Sequence, residues 1–188
     1  LYAGASNTTR SLPLVVGAGP AGPWIADLAR ARGISVDAVI AGSVPATLWG
    51  FRDPVTPRHA EEVTDAALRL IAPARRQLLW IHYFDLHAFH EPVGNRAVPA
   101  RPAHLPARYR AAALTVDGAI GRLLAELEQK GLLARTLILV TGDHGEGLGA
   151  HGVAAHSQSG FEEVLRVPGV LRGPGIPAAA IPQLVSHR

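Results

Sequence analysis

An acid and an imidazole stand side by side at Asp143-His144, directly after the apolar run Leu137-Ile-Leu-Val and bracketed by Gly142 and Gly145. A carboxylate beside a neutral imidazole is half of a ligand set for a divalent cation. The flanking glycines let the backbone turn sharply at that point. Glu146, His151 and His156 follow closely, so a second carboxylate and two more imidazoles are near in sequence. A plainer reading of the same string is a solvated turn in which Asp143 caps a helix. Hydroxyls gather at the other end of the chain, at Ser6, Thr8, Thr9 and Ser11, ahead of the apolar stretch from Leu12 to Val16 and Gly17. Free N–H groups and the helix dipole at such a position favour an anion, and they help a hydroxyl ionise beside a cation. The plainer role there is again a helix cap. A third cluster, His82, Asp85, His87 and His90, accompanies the apolar run from Gln77 to Phe84.

Taken in order, Thr141-Gly-Asp-His-Gly-Glu146, Gly149-Ala-His-Gly152, His156, Phe161-Glu-Glu, Arg166-Val-Pro168 and Arg172-Gly-Pro-Gly form a series. This series resembles the sulfatase family within the alkaline-phosphatase superfamily. There, a strand ends in a T-S-D-H-G-E-like motif, followed by G-E-H-G, a Lys or His, Y-E-E-x-x-R-V-P and a G-P-G turn. The resemblance implies that Asp143 and His144 hold a divalent cation together with an Asp on a strand preceding Leu1. It implies a hydroxyl nucleophile coordinated to that cation, in a C/S/T-x-P-S-like context that Thr8-Thr-Arg-Ser11 fits in outline; Thr8 is the candidate, with Thr9 and Ser6 in reserve. Trp80 to Pro92 is similar to the family's "vhy-x-D-P-H-x-P" segment, which gives His87 the task of donating to a non-bridging oxygen of the transferred group. His156 stands where many relatives carry a Lys on the substrate oxyanion, and it would donate a hydrogen bond or protonate a leaving oxygen. His82 reads as a packed core residue, and His90 as an extra pocket residue or an exposed one. His151 orients a ligand or merely belongs to a glycine-rich loop. Glu146 buttresses the metal site or caps the next turn, and Asp117 is structural.

The departures from the family pattern bear on the chemistry. Sulfatases proper convert Cys or Ser to formylglycine within C/S-x-P-x-R; here Arg10 replaces the Pro and Leu12 the Arg. Threonine cannot become formylglycine, and phosphoryl-transferring relatives use an unmodified Thr or Ser. The string similarity therefore favours a sulfatase-like hydrolase, whereas the nucleophile favours phosphate esters. Hydrolysis of the covalent intermediate makes a sulfatase or phosphatase, and capture by another alcohol makes a phosphoethanolamine- or phosphoglycerol-type transferase. Calcium is usual among sulfatase relatives, an imidazole ligand suits manganese or zinc better, and magnesium completes the candidates. Two readings from other classes stand beside these: a catalytically inactive fragment that only binds anions, and a plain α/β binding module in which Asp143 and His144 face away from Thr8 and His87.

Composition sets the frame in which these groups must be held. A chain of 188 residues suffices for one ordinary domain. Without cysteine it has neither disulfides nor a thiol nucleophile. Net charge is +3, and no Lys/Arg cluster interleaves with aromatics, so nucleic acid is a poor partner and an anionic ester a natural one. No apolar run reaches the 18 or more residues of a membrane span. The absence of Met and the lost upstream strand imply a piece of a larger catalytic domain, stopping at Val185-Ser-His-Arg188, where relatives continue into D-x-x-P-T. Relatives are often exported or membrane-tethered with the catalytic domain outside, which a cysteine-free chain suits.

Alternating apolar strands and amphipathic helices predict an α/β three-layer sandwich with a mostly parallel central sheet, alkaline-phosphatase-like but incomplete, spanning residues 1–188 as one partial catalytic domain. Helices or turns are predicted near Thr9–Val16, at 23–32 with Trp24, Ile25 and Leu28 buried, at 60–71 and at 108–130. The last carries Val116, Ile120, Leu123, Leu124 and Leu127 on one face, with Gly131 as its stop. Strands are predicted at 34–41, at 77–84, from Leu137 to Val140 and at 167–171. The Leu137 run reads as a central parallel strand covered on both faces, and ligands of such sheets gather beyond the strands' carboxyl ends. A Gly/Pro-rich loop extends to Pro57, and another spans 91–106.

Overall fold

A computed structural model describes residues 1–17, 23–42, 50–87, 105–156 and 159–187. The chain divides into two compact units, Pro23–Glu126 and Leu1–Gly22 with Leu127–Arg188. Most of the proline-rich 91–106 segment, His90 and part of the loop before Pro57 lie outside the described residues.

In the unit Pro23–Glu126, β1 (Ser35–Ile40) pairs in parallel with β2 (Gln77–His82), in register from Ser35↔Gln77 to Ile40↔His82. Parallel neighbours need a crossover, and α3 (Ala60–Leu70) supplies it. Its helical period turns Ala60, Val63, Thr64, Ala66 and Ala67 inward. The small side chains let the backbone lie close to the sheet, and Thr64 satisfies its buried hydroxyl by donating to Ala119 O at 3.1 Å. Val39, Ile40 and Ala41 are fully buried beside Phe51, which stacks on Trp80 at 5.8 Å. Helix α4 (Leu105–Gln129) buries Val116, Leu123 and Leu127 of the predicted stripe; Ile120 and Leu124 are only partly buried, and Ala119 is buried in addition. Gly131 follows it at φ 65°, as a left-handed stop requires. Helix α2 (Ile25–Arg30) corrects one expectation: Ala26 and Ala29 face inward, while Ile25 and Leu28 are 42% and 40% exposed. Close approach selects the methyl side chains for the covered face, and the larger apolar ones turn outward.

In the other unit, α1 (Thr8–Val16) starts from Asn7, whose side chain accepts from Arg10 N at 3.1 Å. This cap serves one of the helix's first free N–H groups, and Thr8 occupies the first helical position. Ser11, Leu12 and Val16 form the buried stripe. Strand β3 (Ile138–Thr141) does not run parallel. It pairs antiparallel with β4 (Gly169–Arg172), from Ile138↔Arg172 to Thr141↔Gly169. Leu137 and Leu139 are 65% and 61% exposed, so the predicted covering of both faces is absent among the described residues. An apolar run carries no information about the direction of its partner. Here the chain leaves β3, passes through the D-H-G-E loop and the short helix α5 (Glu162–Leu165), and returns alongside it.

Candidate active site

The start of α1 and the end of β3 bring together residues more than a hundred positions apart. Thr8 Oγ1 lies 3.1 Å from His144 Nε2. The Ser11 hydroxyl donates to the Asp143 carbonyl and pins the helix against the turn. His144 Nδ1 lies 2.8 Å from Gly145 O. A carbonyl only accepts, so Nδ1 carries a proton; in the corresponding neutral tautomer the atom facing the Thr8 hydroxyl, Nε2, accepts from it. Asp143 Oδ2 is 3.6 Å from the same nitrogen. It is buried without a hydrogen-bond partner among the described residues.

His156 joins from the far side of the loop. Its ring sits 4.3 Å from that of His144, centroid to centroid. Its Nδ1 donates to Glu146 Oε2 at 2.9 Å, and both side chains are largely buried, at 12% and 5% exposed. The hydrogen bond from Glu146 raises the His156 pKa above the usual imidazole value; burial opposes it, and the charges of Glu146 and Asp143 assist. His151, exposed, donates to Glu163 at 2.7 Å and stacks on Phe161, so it faces α5. Thr9 is exposed, and of the three hydroxyls considered it is Thr8's that contacts His144. His87 belongs to the other unit, where its exposed ring stacks on Phe84 at 4.4 Å. His82 is partly buried there and shares a hydrogen bond with Ala41 O. Asp117 is exposed on α4.

The loop is shaped by backbone packing. Gly145 N donates to Val164 O at 2.6 Å and Glu146 N to Glu163 O at 3.2 Å, which leaves no room for a side chain at Gly145. A Cβ there would collide with the Glu163 carbonyl oxygen. Gly145→Ala is accordingly expected to destabilise the fold by about 1–3 kcal/mol, seen as a lower denaturation midpoint at unchanged m-value. A midpoint equal to that of the parent chain would contradict the close packing.

Sequence reasoning missed His187. Thr141 Oγ1 donates to Pro168 O at 3.0 Å, so His187 Nε2–H donates to Thr141 Oγ1 at 3.3 Å. His187 Nδ1 is then a buried lone pair without a partner among the described residues. Burial pushes this imidazole below its usual value of about 6.5, against the pull of the Asp143 charge. A folded pKa below the unfolded one means that the unfolded chain takes up the proton first. The contribution of His187 to stability is thus complete above about pH 6.5 and falls with acidification until its folded pKa is reached. His187→Gln, which keeps a donor for Thr141, should flatten the melting temperature over that window; identical acid-side slopes in both proteins would refute the assignment.

The donor set bears on a metal. Ligand atoms bound to one ion at about 2.1 Å lie roughly 3–3.5 Å from one another; Thr8 Oγ1 lies 3.1 Å from His144 Nε2, within that range, and Asp143 Oδ2 lies 3.6 Å from it, just beyond. An unpartnered buried carboxylate oxygen is also what a cation would satisfy. Among the described residues no group of three or more His, Asp or Glu side chains is placed to hold a metal ion by itself, so Thr8, His144 and Asp143 would supply only part of a shell. A pocket of about 410 Å³ lined by Leu133, Leu171, Arg172 and Ile176 contains none of these groups.

Residues 25–188 match the sulfatase family model. The chain belongs to the sulfatase family. It is 31% identical over 142 residues to an arylsulfatase from Volvox carteri, an alignment covering 71% of this chain and 21% of that protein. Among solved structures it is similar to a putative sulfatase from Bacteroides fragilis (TM-score 0.64, 17% identity, 95% of this chain and 56% of that one). It is also similar to the periplasmic domain of a phosphoethanolamine transferase from Campylobacter jejuni (TM-score 0.69, 13% identity, 92% and 66%). This sulfatase chain thus spans about a fifth of the curated relative. Its fold is the alkaline-phosphatase-like α/β architecture, incomplete. Members of the family generally use a divalent metal and act on sulfate esters. No described helix is long and apolar enough to cross a membrane.

Proposed function

We propose that the protein of which this chain is part cleaves sulfuric or phosphoric esters by attack of the Thr8 hydroxyl. The observation that carries the reading is the contact of Thr8 Oγ1 with His144 Nε2, at 3.1 Å, at the start of α1. The oxygen is held on the positive end of a helix, where negative charge developing on it and on a bound ester is stabilised. Asp143, His144 and Thr8 would hold a divalent cation, calcium by family habit or manganese, magnesium or zinc by the chemistry of the donors. Bound there, it supplies Lewis acidity to the hydroxyl and to the central group of the ester.

The protein's own groups account for the rest. Thr8 attacks in line and forms a covalent ester, and the leaving alcohol departs with a proton. His156, held beside His144, donates to an equatorial oxygen of the transferred group or protonates the leaving oxygen. Water or a second alcohol then releases the group, which separates hydrolase from transferase.

An unmodified threonine favours phosphorus over sulfur, whereas the similarity to an arylsulfatase favours sulfate. The test is turnover by the full-length protein of chromogenic aryl sulfate, aryl monophosphate and aryl phosphodiester, with and without an added alcohol acceptor. Cleavage of none of them, by folded protein supplied with each candidate cation, would leave the inactive-fragment or binding-module reading.

A further inference from the structure

Glu146 is the one buried carboxylate of the D-H-G-E loop whose partner is another imidazole. Its residue is 7% exposed. Burial of a charge costs several kcal/mol unless it is paired and hydrogen-bonded, so its position demands a reason. Oε1 accepts from Gly147 N at 3.3 Å, and Oε2 accepts from His156 Nδ1 at 2.9 Å. The two imidazoles of the site are therefore anchored alike: His144 by Nδ1 on a carbonyl, His156 by Nδ1 on a carboxylate. The two nitrogens of a ring lie on different edges, so anchoring Nδ1 turns Nε2 away from Glu146. The ring of His156 lies over that of His144, whose own Nε2 reaches Thr8.

We propose that Glu146 is a positioning residue for ester cleavage: it fixes the tautomer and ring plane of His156 so that Nε2 faces the group being transferred to Thr8. This rests on the reading of Thr8 as nucleophile and His156 as substrate contact, and assigns Glu146 no contact with substrate. A carboxylate that only filled space in the loop would not need to meet Nδ1 of the neighbouring ring at hydrogen-bond distance.

The test uses the full-length enzyme and whichever chromogenic ester it turns over. Glu146→Ala should lower kcat by about 10–100-fold, with KM changed much less. Glu146→Gln, whose amide oxygen still accepts from Nδ1–H, should recover most of that loss. His156→Ala and the double variant should be equally impaired, because removing the positioner costs nothing once the positioned ring is gone. Multiplying losses in the double variant, or wild-type kcat in Glu146→Ala, would overturn the proposal. Should Glu146→Ala not fold, long-range nitrogen–proton spectra of the wild-type enzyme at alkaline pH decide it. There the neutral His156 ring must carry its proton on Nδ1, and a proton on Nε2 overturns the assignment. Full activity in both Thr8→Ala and His156→Ala would instead remove the underlying reading, and the inference with it. Loss in those two beside normal Glu146→Ala kinetics removes the inference alone.

Discussion

Thr8→Ala is expected to reduce ester cleavage by the full-length enzyme on the order of 10⁴–10⁶-fold, the scale on which removal of a covalent nucleophile acts. The chain itself makes this a clean experiment. The helix cap is Asn7, which accepts from Arg10 N, so alanine at Thr8 leaves the cap in place and puts the best helix former at the first helical position. What is lost is the oxygen 3.1 Å from His144 Nε2. Thr8→Ser restores a hydroxyl and should stay within about ten-fold of the parent, since only a methyl group is removed. Thr9→Ala should stay near wild type, because Thr9 is exposed. The measurement is kcat under saturating ester, with melting curves to confirm that each variant is folded. Turnover by Thr8→Ala at the parent rate would exclude this hydroxyl as nucleophile, and an effect confined to Thr9→Ala would move the role one residue along.

The helices and the parallel pair were legible because their patterns are local. The period through Val116, Leu123 and Leu127 and the glycine stop at Gly131 need no knowledge of a partner. The mistaken strand is instructive for the opposite reason. Leu137 to Val140 is apolar enough for a core strand, yet Leu139 is exposed and its neighbour is the antiparallel β4, a relation set by the path of the excursion from Gly142 to Pro168. The outward turn of Ile25 and Leu28 on α2 has a similar cause: hydrophobicity names the residues that gain from burial, but close backbone approach admits only Ala26 and Ala29.

The site divides in the same way. Asp143-His144 announces itself by residue type and bracketing glycines. Its meeting with Thr8 joins positions 136 apart in sequence, and only an ordered resemblance to a family spans such a gap. The partnership of Glu146 with His156 was in reach at a separation of ten residues, but its direction depends on the left-handed turns at Leu148, Gly149 and His151 that fold the loop back. Ser11, bonded to the Asp143 carbonyl, and His187, beside Thr141, carried no sequence signal beyond their residue types.

Asp143→Asn should separate function from stability, moving them in opposite directions. Asp143 Oδ2 is buried with no partner among the described residues, and its side chain is 21% exposed. A carboxylate oxygen so placed is costly to the cation-free fold, because its desolvation is not repaid by a hydrogen bond among the described residues. Neutralising it should therefore raise the stability of chelator-treated protein by about 1–3 kcal/mol. The same change removes a charged oxygen from the proposed ligand set and should cut turnover by at least about 10³-fold, the range found when a carboxylate central to catalysis is lost. Chelation should abolish the activity of the parent enzyme, with recovery on adding back one of the candidate cations. Calorimetry supplies a readout independent of turnover. A cation at a hundred times its Kd stabilises a protein that binds it only when folded by about 2.7 kcal/mol, so the parent melting temperature should rise on addition and that of Asp143→Asn should scarcely move. Equal cation responses in both proteins would show that the ion binds elsewhere. A destabilised Asp143→Asn in chelator would mean that the carboxylate already has a partner, and that its burial serves the fold rather than a metal.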